Sequence, residues 1–215
     1  MFYEDPKHHG LKYNPFKALV APRPIAWVSS VDTEGNLNLA PFSFFNAVAE
    51  FPPTIVFAPN GPGPRGDGKD TLANIEKTNE FVVNFATWDL REQMNETSAH
   101  VPSNVDEFEL AGLTPIPSIN VKVPRLKESP VNLECVFLQR VRLPSTNPKI
   151  ENNVVFGRVV GVHISDEIIV DGRVDMMKYR PISRLGYMDY SVVDNVFSME
   201  RPDDNLDAYE ARKRT

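Results

Sequence analysis

The residues best placed for chemistry fall in one loop and the turn that follows it. Gly61-Pro62-Gly63-Pro64-Arg65-Gly66 satisfies G-x-G-x-x-G and follows an apolar run that reads as a strand, the order a dinucleotide-binding fingerprint requires. Pro62 and Pro64, however, remove backbone N–H groups from a loop whose use depends on them, and the next helix signal starts too late. Gly63 to Gly68-Lys69 then satisfies G-x-x-x-x-G-K, but Asp70 stands where a P-loop needs Ser or Thr to hold Mg²⁺. A simpler reading survives both failures. Thr71 to Thr78 predicts a helix, with Leu72 and Ile75 at helical spacing and Asp70 or Thr71 as N-cap. Lys69 and Thr71 at such an N-terminus suit a phosphate; an ordinary capped helix with an exposed lysine fits the same residues.

Other chemistries find little support. His8, His9, His100 and His163 show no ligand spacing, so no metal site is expected. Cys135 is the single cysteine, which rules out an intramolecular disulfide, and its apolar surroundings predict a buried thiol. There is no G-x-S-x-G and no Cys–His nucleophile pattern, and the carboxylates are scattered, mostly on polar faces. The net charge of −6 argues against a nucleic-acid footprint while leaving room for one local cationic pocket. The opening MFYEDPKHHG has no apolar core of a signal peptide. No run reaches the roughly 18 apolar residues of a membrane span, so no membrane association and a cytoplasmic location are expected.

These residues must be positioned by a chain of many turns and short strands, as 19 prolines in 215 residues imply. Residues 1–20 read as an arm with a short helical turn, anchored by Phe16, Leu19 and Val20. Ile25 to Val31 alternates with period two, Asp32-Thr33-Glu34-Gly35-Asn36 is turn chemistry, and Leu37 resumes the alternation, which predicts a hairpin. Pro52-Pro53 delays a strand over Thr54–Ala58. A strand over Phe81–Ala86, a polar helix over Trp88–Thr97 and a proline-rich excursion over 98–130 follow. Val131–Leu143 and Val154–Ser165 alternate again, with Asn132, Glu134, Arg140 and Arg142 on a polar face of the first. Asp171-Gly172 is a hairpin turn signal; Arg180–Tyr190 follows, then a charged tail. With about seven strands joined mostly by hairpins, the chain reads as mainly β: an antiparallel barrel of Greek-key type with a few short helices. One domain over 21–190 is expected, between an arm at 1–20 and the tail at 191–215. Trp27, Phe42, Phe44, Phe45 and Phe57 form a dense aromatic patch that core packing explains. The segment Pro41 to Ala47 is unusual for a core strand, because Ser43 and Asn46 interrupt it.

Residues 22–53 resemble the opening of the flavin reductase-like, FMN-binding split-barrel family. The resemblance rests on Pro22-Arg23-Pro24, Ala26, Val28-Ser29-Ser30, Asp32, Gly35, Asn38, Ala40-Pro41-Phe42-Ser43, Phe45 and Pro52-Pro53. It continues in Lys69-Asp70-Thr71, Asn74-Ile75, Glu80 to Asn84, Met94-Asn95, Ser98, Asp106 to Phe108, Ala111 to Thr114, Glu134-Cys135, Gly157 and Ser183 to Tyr187. The loop at 59–68 is longer and more charged than the family pattern.

The resemblance implies a homodimer of split barrels with FMN near the interface. It also implies NAD(P)H-dependent flavin reduction, with NADH or NADPH as co-substrate and a flavin-dependent monooxygenase or another electron acceptor as partner. The alternative is an FMN-holding electron carrier without NAD(P)H activity of its own. Carried over by position, Ser43, Phe44, Phe45, Asn46 and Ala47 would edge the isoalloxazine. Lys69 and Thr71, with Arg23, would meet the phosphate, and Asp70 between them counts among the cofactor-binding residues. Arg184, Gly186 and Tyr187 would close the ring from the other side. No catalytic triad is required, because hydride transfer from nicotinamide to flavin depends on stacking, distance and electrostatic tuning.

Overall fold

A computed structural model describes residues 1–5, 7–61, 69–102, 105–147 and 150–199. The loop motifs at 62–68 and the charged tail from 200 onward lie outside the described residues. The chain begins with a one-turn helix α1 (Phe16–Leu19), a two-residue strand β1 (Arg23–Pro24) and the expected hairpin of β2 (Ala26–Val31) and β3 (Leu37–Phe42). Asp32 Oδ1 builds the hairpin turn by accepting the backbone N–H groups of Glu34 and Asn36 at 2.8 and 2.9 Å. Gly35 takes a φ of +94°, which an L side chain resists. The arm is not anchored as the sequence suggested. Phe16, Leu19 and Val20 are exposed, because a single helical turn presents too little surface to bury an apolar stripe. The arm is held instead by the Arg23 guanidinium, which donates to the Lys17 and Val20 carbonyls.

Next come β4 (Phe45–Glu50), β5 (Pro53–Phe57), helix α2 (Asp70–Thr78), β6 (Glu80–Asn84), α3 (Arg91–Glu96) and α4 (Glu107–Leu110). Short strands β7 (Pro115–Ile116) and β8 (Arg125–Leu126) precede the long hairpin of β9 (Val131–Leu143) and β10 (Asn152–Ile164). The chain ends, as described, with a small hairpin of β11 (Ile169–Val170) and β12 (Arg173–Val174), helix α5 (Met176–Tyr179), β13 (Ile182–Arg184) and β14 (Tyr190–Val192).

Seven strands form the main sheet in the order β3-β2-β6-β9-β10-β5-β4, every pair antiparallel. Its two edge strands, β3 and β4, are consecutive in sequence and separated only by Ser43 and Phe44. Flat, a sheet of that width would hold its edges roughly 29 Å apart, at about 4.8 Å per strand. The chain from Phe42 to Phe45 reaches about 11 Å at most. The sheet therefore curls until its edges meet without pairing, which is the split of a split barrel. β1, β13 and β14 form a separate sheet beside that seam.

Because the sheet curls, β2 is buried on both faces. Trp27 joins Ile25, Leu39, Met94, Phe108 and Ile182 in one core, while Ala26 and Val28 join Phe57, Ile75, Phe81 and Cys135 in the other. Each large apolar side chain so buried contributes roughly 1.5–3 kcal/mol. Trp27 Nε1 donates to Thr97 Oγ1 at 2.9 Å, so the indole carries no unmet polar group.

Several boundaries shift for identifiable reasons. Helix α3 starts at Arg91 rather than Trp88, since Trp88 N–H donates to the Arg180 carbonyl and Thr87 bridges to Pro181. The Arg180–Tyr190 stretch, to which the sequence assigned no element, holds β13 and the start of β14: Leu185 and Asp189 close a turn between them in which Tyr187 has a φ of +55°. The N-cap of α2 is Lys69, not Asp70 or Thr71, and no side-chain cap bond is made there. The supposed polar face of β9 is partly core, with Asn132 and Glu134 buried.

Candidate functional site

Two cavities lie along the seam. The first, about 190 Å³, opens where the end of β3, the N-terminus of α2 and the segment after α3 converge; its walls include Asn38, Lys69, Thr71, Ser98, His100 and Glu107. The second, about 380 Å³, lies between the small sheet, α1 and α3; its walls include Arg23, Ser43, Asn95, Arg184, Tyr187 and Tyr190. Pro41 and Ser98 line both, so the two are contiguous. Volumes of a few hundred Å³ are those of small-molecule and cofactor sites.

The first cavity is polar. Thr71 Oγ1 donates to Asn38 Oδ1 at 2.6 Å, and Asn38 Nδ2 donates to Glu107 Oε1 at 3.0 Å. Glu107 Oε2 accepts the Leu39 N–H at 3.0 Å, which ties helix α4 to the edge strand. Burial raises the Glu107 carboxyl above its ordinary range, opposed by those hydrogen bonds. Lys69 is half-buried and forms no ion pair among the described residues; its Nζ lies 3.3 Å from His100 Nε2. Burial lowers the Lys69 ammonium below its usual value, with Asp70 acting in the opposite direction. A helix N-terminus with no side-chain cap bond from its N-cap, beside a lysine that forms no ion pair among the described residues, suits an anion.

The second cavity is lined by flat and cationic groups. Arg23 and Arg184 are register partners on β1 and β13. Arg23 Nη2 donates to the Leu185 carbonyl at 2.7 Å, while its Nε is buried without a partner. Burial, then the charge of Arg184, lowers the Arg23 guanidinium below its ordinary value. Arg184 donates to the Tyr187 carbonyl and stacks over the Tyr190 ring at 4.4 Å.

The structure brings Arg23, Ser43, Arg184 and Tyr187 together in one cavity and Lys69, Asp70 and Thr71 in the other. Arg23 thus stands with the flat-walled cavity and not with Lys69. Phe44 packs against Arg23, whose guanidinium lies 5.8 Å from the ring centre. Phe45, Asn46 and Ala47 run into β4 and pair with β5, and the Ala47 N–H donates to Asn46 Oδ1 at 2.9 Å. They line neither cavity. Gly186 sits where the β13–β14 turn crosses α1; a Cβ there would meet Ala18 Cβ at 2.3 Å. Sequence reasoning had not assigned Asn38, Asn95, Ser98, His100 or Tyr190 to the site. Three of them, Asn38, Asn95 and Ser98, belong to the family pattern already quoted, which was the available signal; His100 and Tyr190 had none.

The residues fit FMN. Lys69 and the α2 N-terminus would suit a phosphate, and Tyr187, Tyr190 and the arginines would suit a flat ring.

Residues 19–181 match the model of the flavin reductase like domain. An uncharacterized protein of Aquifex aeolicus is 42% identical over 177 residues, which cover 81% of this chain and 86% of that protein. Among solved structures, nitrilotriacetate monooxygenase component B from Bacillus cereus is similar at 36% identity and a TM-score of 0.83, covering 93% of this chain and 98% of that one. A 2-nitrobenzoate 2-nitroreductase from Pseudomonas fluorescens is similar at 30% identity and a TM-score of 0.76, covering 88% and 90%. With the family model spanning the barrel from β1 to α5, the chain belongs to the flavin reductase-like, FMN-binding split-barrel family.

Proposed function

We propose that the chain is an NAD(P)H:flavin oxidoreductase that holds FMN across the two contiguous cavities. The observation that carries this reading is the contiguity itself: a lysine that forms no ion pair among the described residues, at a helix N-terminus, joins, through Pro41 and Ser98, a cavity walled by aromatic rings and arginines. Lys69 binds the phosphate, with Asn38 and Thr71 fixing the shape of that wall. Arg184, Tyr187 and Ser43 hold the ring. FMN, when bound, supplies the hydride-accepting chemistry, with NADH or NADPH as the donor. The chain's own task is to orient the ring, exclude water and balance charge. A third cavity of about 570 Å³, lined by Trp88, Arg91, Ile182 and Met188, shares Arg184 and Tyr190 with the flat-walled one and gives the co-substrate a place beside it.

A flavin-dependent monooxygenase as the acceptor is supported by the likeness to a protein described as a monooxygenase component B. A homodimer follows the family likeness, and the end of the β9–β10 hairpin where β9 exposes Leu138, Val141 and Leu143 is the surface we assign to it.

The test is spectroscopic. Purified protein with FMN should show a flavin spectrum that bleaches anaerobically on addition of NADH or NADPH. If dithionite bleaches it and neither nucleotide does, the electron-carrier reading replaces the reductase; if FMN does not bind at all, both fail.

A further inference from the structure

We propose that Lys17 of the N-terminal arm faces the ring of the bound flavin and holds the reduced cofactor more tightly than the oxidised one, raising its reduction potential. This rests on the FMN reading above and deepens it. The argument starts from charge. The flat-walled cavity is lined by Lys17, Arg23 and Arg184 and, among the described residues, by no carboxylate. None of the three forms an ion pair among the described residues; the two guanidinium groups bond neutral carbonyls instead. The polar cavity differs, since Asp70 and Glu107 line it together with Lys69. Glu92 and Asp194 line the third cavity and not this one. Cations without a counter-charge favour the ligand state that carries more negative charge beside them. Hydride transfer creates such a state. A nicotinamide C–H bond breaks with both its electrons, an N–H bond forms on the flavin, the nicotinamide becomes a cation and the flavin gains one unit of negative charge. Charge placed near the ring is one of the protein's levers on flavin electronics.

Among the three cations, Lys17 has donors to spare. Arg23 gives Nη1 and Nη2 to the carbonyls of Lys17, Val20 and Leu185, and Arg184 bonds the Tyr187 carbonyl and stacks on the Tyr190 ring. The Lys17 ammonium makes no hydrogen bond among the described residues and lies 5.8 Å from the centre of the Phe44 ring. Its backbone is nevertheless fixed. Arg23 holds the Lys17 carbonyl, and the neighbouring Ala18 packs so closely on Gly186 that a Cβ on Gly186 would lie 2.3 Å from Ala18 Cβ. Earlier in the arm, the Tyr13 ring lies 5.8 Å from that of Tyr187, which also lines the cavity. The arm is thus tied to the cavity wall on both sides of its lysine. Lys17 is exposed, and a ring seated in the cavity would cover it and reduce its screening by water.

The experiment measures the midpoint potential of FMN bound to the full-length protein, by anaerobic equilibration with a reference dye in mildly alkaline buffer. Wild type, Lys17→Gln and Lys17→Arg are compared, each also with riboflavin, and affinity for the oxidised flavins is read from fluorescence quenching. Lys17→Gln should weaken the reduced flavin about tenfold more than the oxidised one, which lowers the two-electron potential by about 30 mV. Lys17→Arg should stay near wild type. The same shift should appear with riboflavin, because the charge concerned is on the ring. A Lys17→Gln potential equal to that of wild type overturns the role of Lys17 and leaves the FMN reading intact. So does a shift seen with FMN and absent with riboflavin, which would move Lys17 to the phosphate. Loss of oxidised flavin from Lys17→Gln and Lys17→Arg alike also overturns it, since a damaged wall weakens both redox states. Failure of wild type to bind either flavin overturns the FMN reading, and this inference with it.

Discussion

Arg23 and Arg184 face each other as register partners across β1 and β13, two like charges where a strand pair would ordinarily place opposite or neutral ones. Each has a different local solution. Arg23 spends Nη1 and Nη2 on the carbonyls of Lys17, Val20 and Leu185, whereas Arg184 bonds the Tyr187 carbonyl and lies on the Tyr190 ring. Arg23 is therefore the rivet between the arm and the β13–β14 turn, and Arg184 is the cation presented to the cavity. Substituting Arg184→Ala should weaken FMN and riboflavin to a similar degree, by about 1 kcal/mol, since a cation–aromatic contact to the ring is lost and no phosphate contact is. Equilibrium titration with both flavins checks this; a loss confined to FMN would move Arg184 to the phosphate.

Lys69 should behave in the opposite way. Lys69→Ala removes the ammonium at the start of α2, where the N-cap makes no side-chain cap bond. It should cost about 1.5–3 kcal/mol of FMN affinity, or roughly ten- to a hundredfold, and little riboflavin affinity. Thr71 is a weaker candidate for direct contact than the sequence suggested, because its buried hydroxyl is already given to Asn38.

Gly157 marks a place where the barrel leaves no room for a side chain. It stands on β10 at a register irregularity opposite β9, and a Cβ there would lie 2.3 Å from Phe81 Cζ. Phe81 is fully buried among Phe57, Ile75 and Cys135 and has no open side to turn toward. Gly157→Ala should destabilise the protein by about 1–3 kcal/mol, read as a lowered denaturant midpoint.

The β2–β3 hairpin and the β9–β10 hairpin were legible because period-two alternation and turn residues are local signals. The barrel itself was also read from its run of hairpin-joined strands, but the strand order that closes it was not, since it depends on Phe42 and Phe45 lying at opposite edges, a fact about pairing order. The Ser43–Ala47 segment divides for the same reason. Ser43 and Phe44 make the crossing, while Phe45 onward is claimed by β5, whose partnership the small side chains of Ala47 and Ala49 do not announce. Lys69 was legible from its place before a helix. His100 was not, because a lone histidine in an aperiodic stretch acquires meaning only from the lysine that the fold brings to it. The crossing of Gly186 over Ala18 joins residues far apart in the chain, and a glycine in a family pattern does not say whether a ligand or the backbone needs the space.

Cys135 should be inert in the native state. It is fully buried beside Phe81 on the adjacent strand, and burial pushes its thiol far above the ordinary range, with the charge of Glu134 adding to the effect. A thiol so placed is not a thiolate at neutral pH and does not attack disulfides. Titration with an aromatic disulfide reagent should register no reactive thiol in the folded protein and one per chain after denaturation, the single cysteine of the sequence.

Glu134 should contribute to the acid sensitivity of the fold. Its carboxylate is fully buried and accepts the Ile119 N–H at 2.7 Å, the Asn120 N–H at 2.6 Å and the His163 ring at 2.6 Å. It thereby pins the 118–120 turn and the end of β10 to β9. Burial alone would raise this carboxyl; the bonds from His163, Ile119 and Asn120 outweigh it and hold the group below its ordinary value of 4.5. A carboxyl lowered in the folded state stabilises the protein above its unfolded-state value, and that contribution is lost as pH falls through the lower, folded one. Stability should therefore decline below about pH 4.5. Glu134→Gln should flatten that decline and lower stability at neutral pH by about 3 kcal/mol, because an amide sets its NH₂ against a backbone donor that the carboxylate had satisfied. Denaturant melts of both proteins across the acid range check the pair of effects. An unchanged acid slope in the variant would assign the sensitivity to other carboxylates.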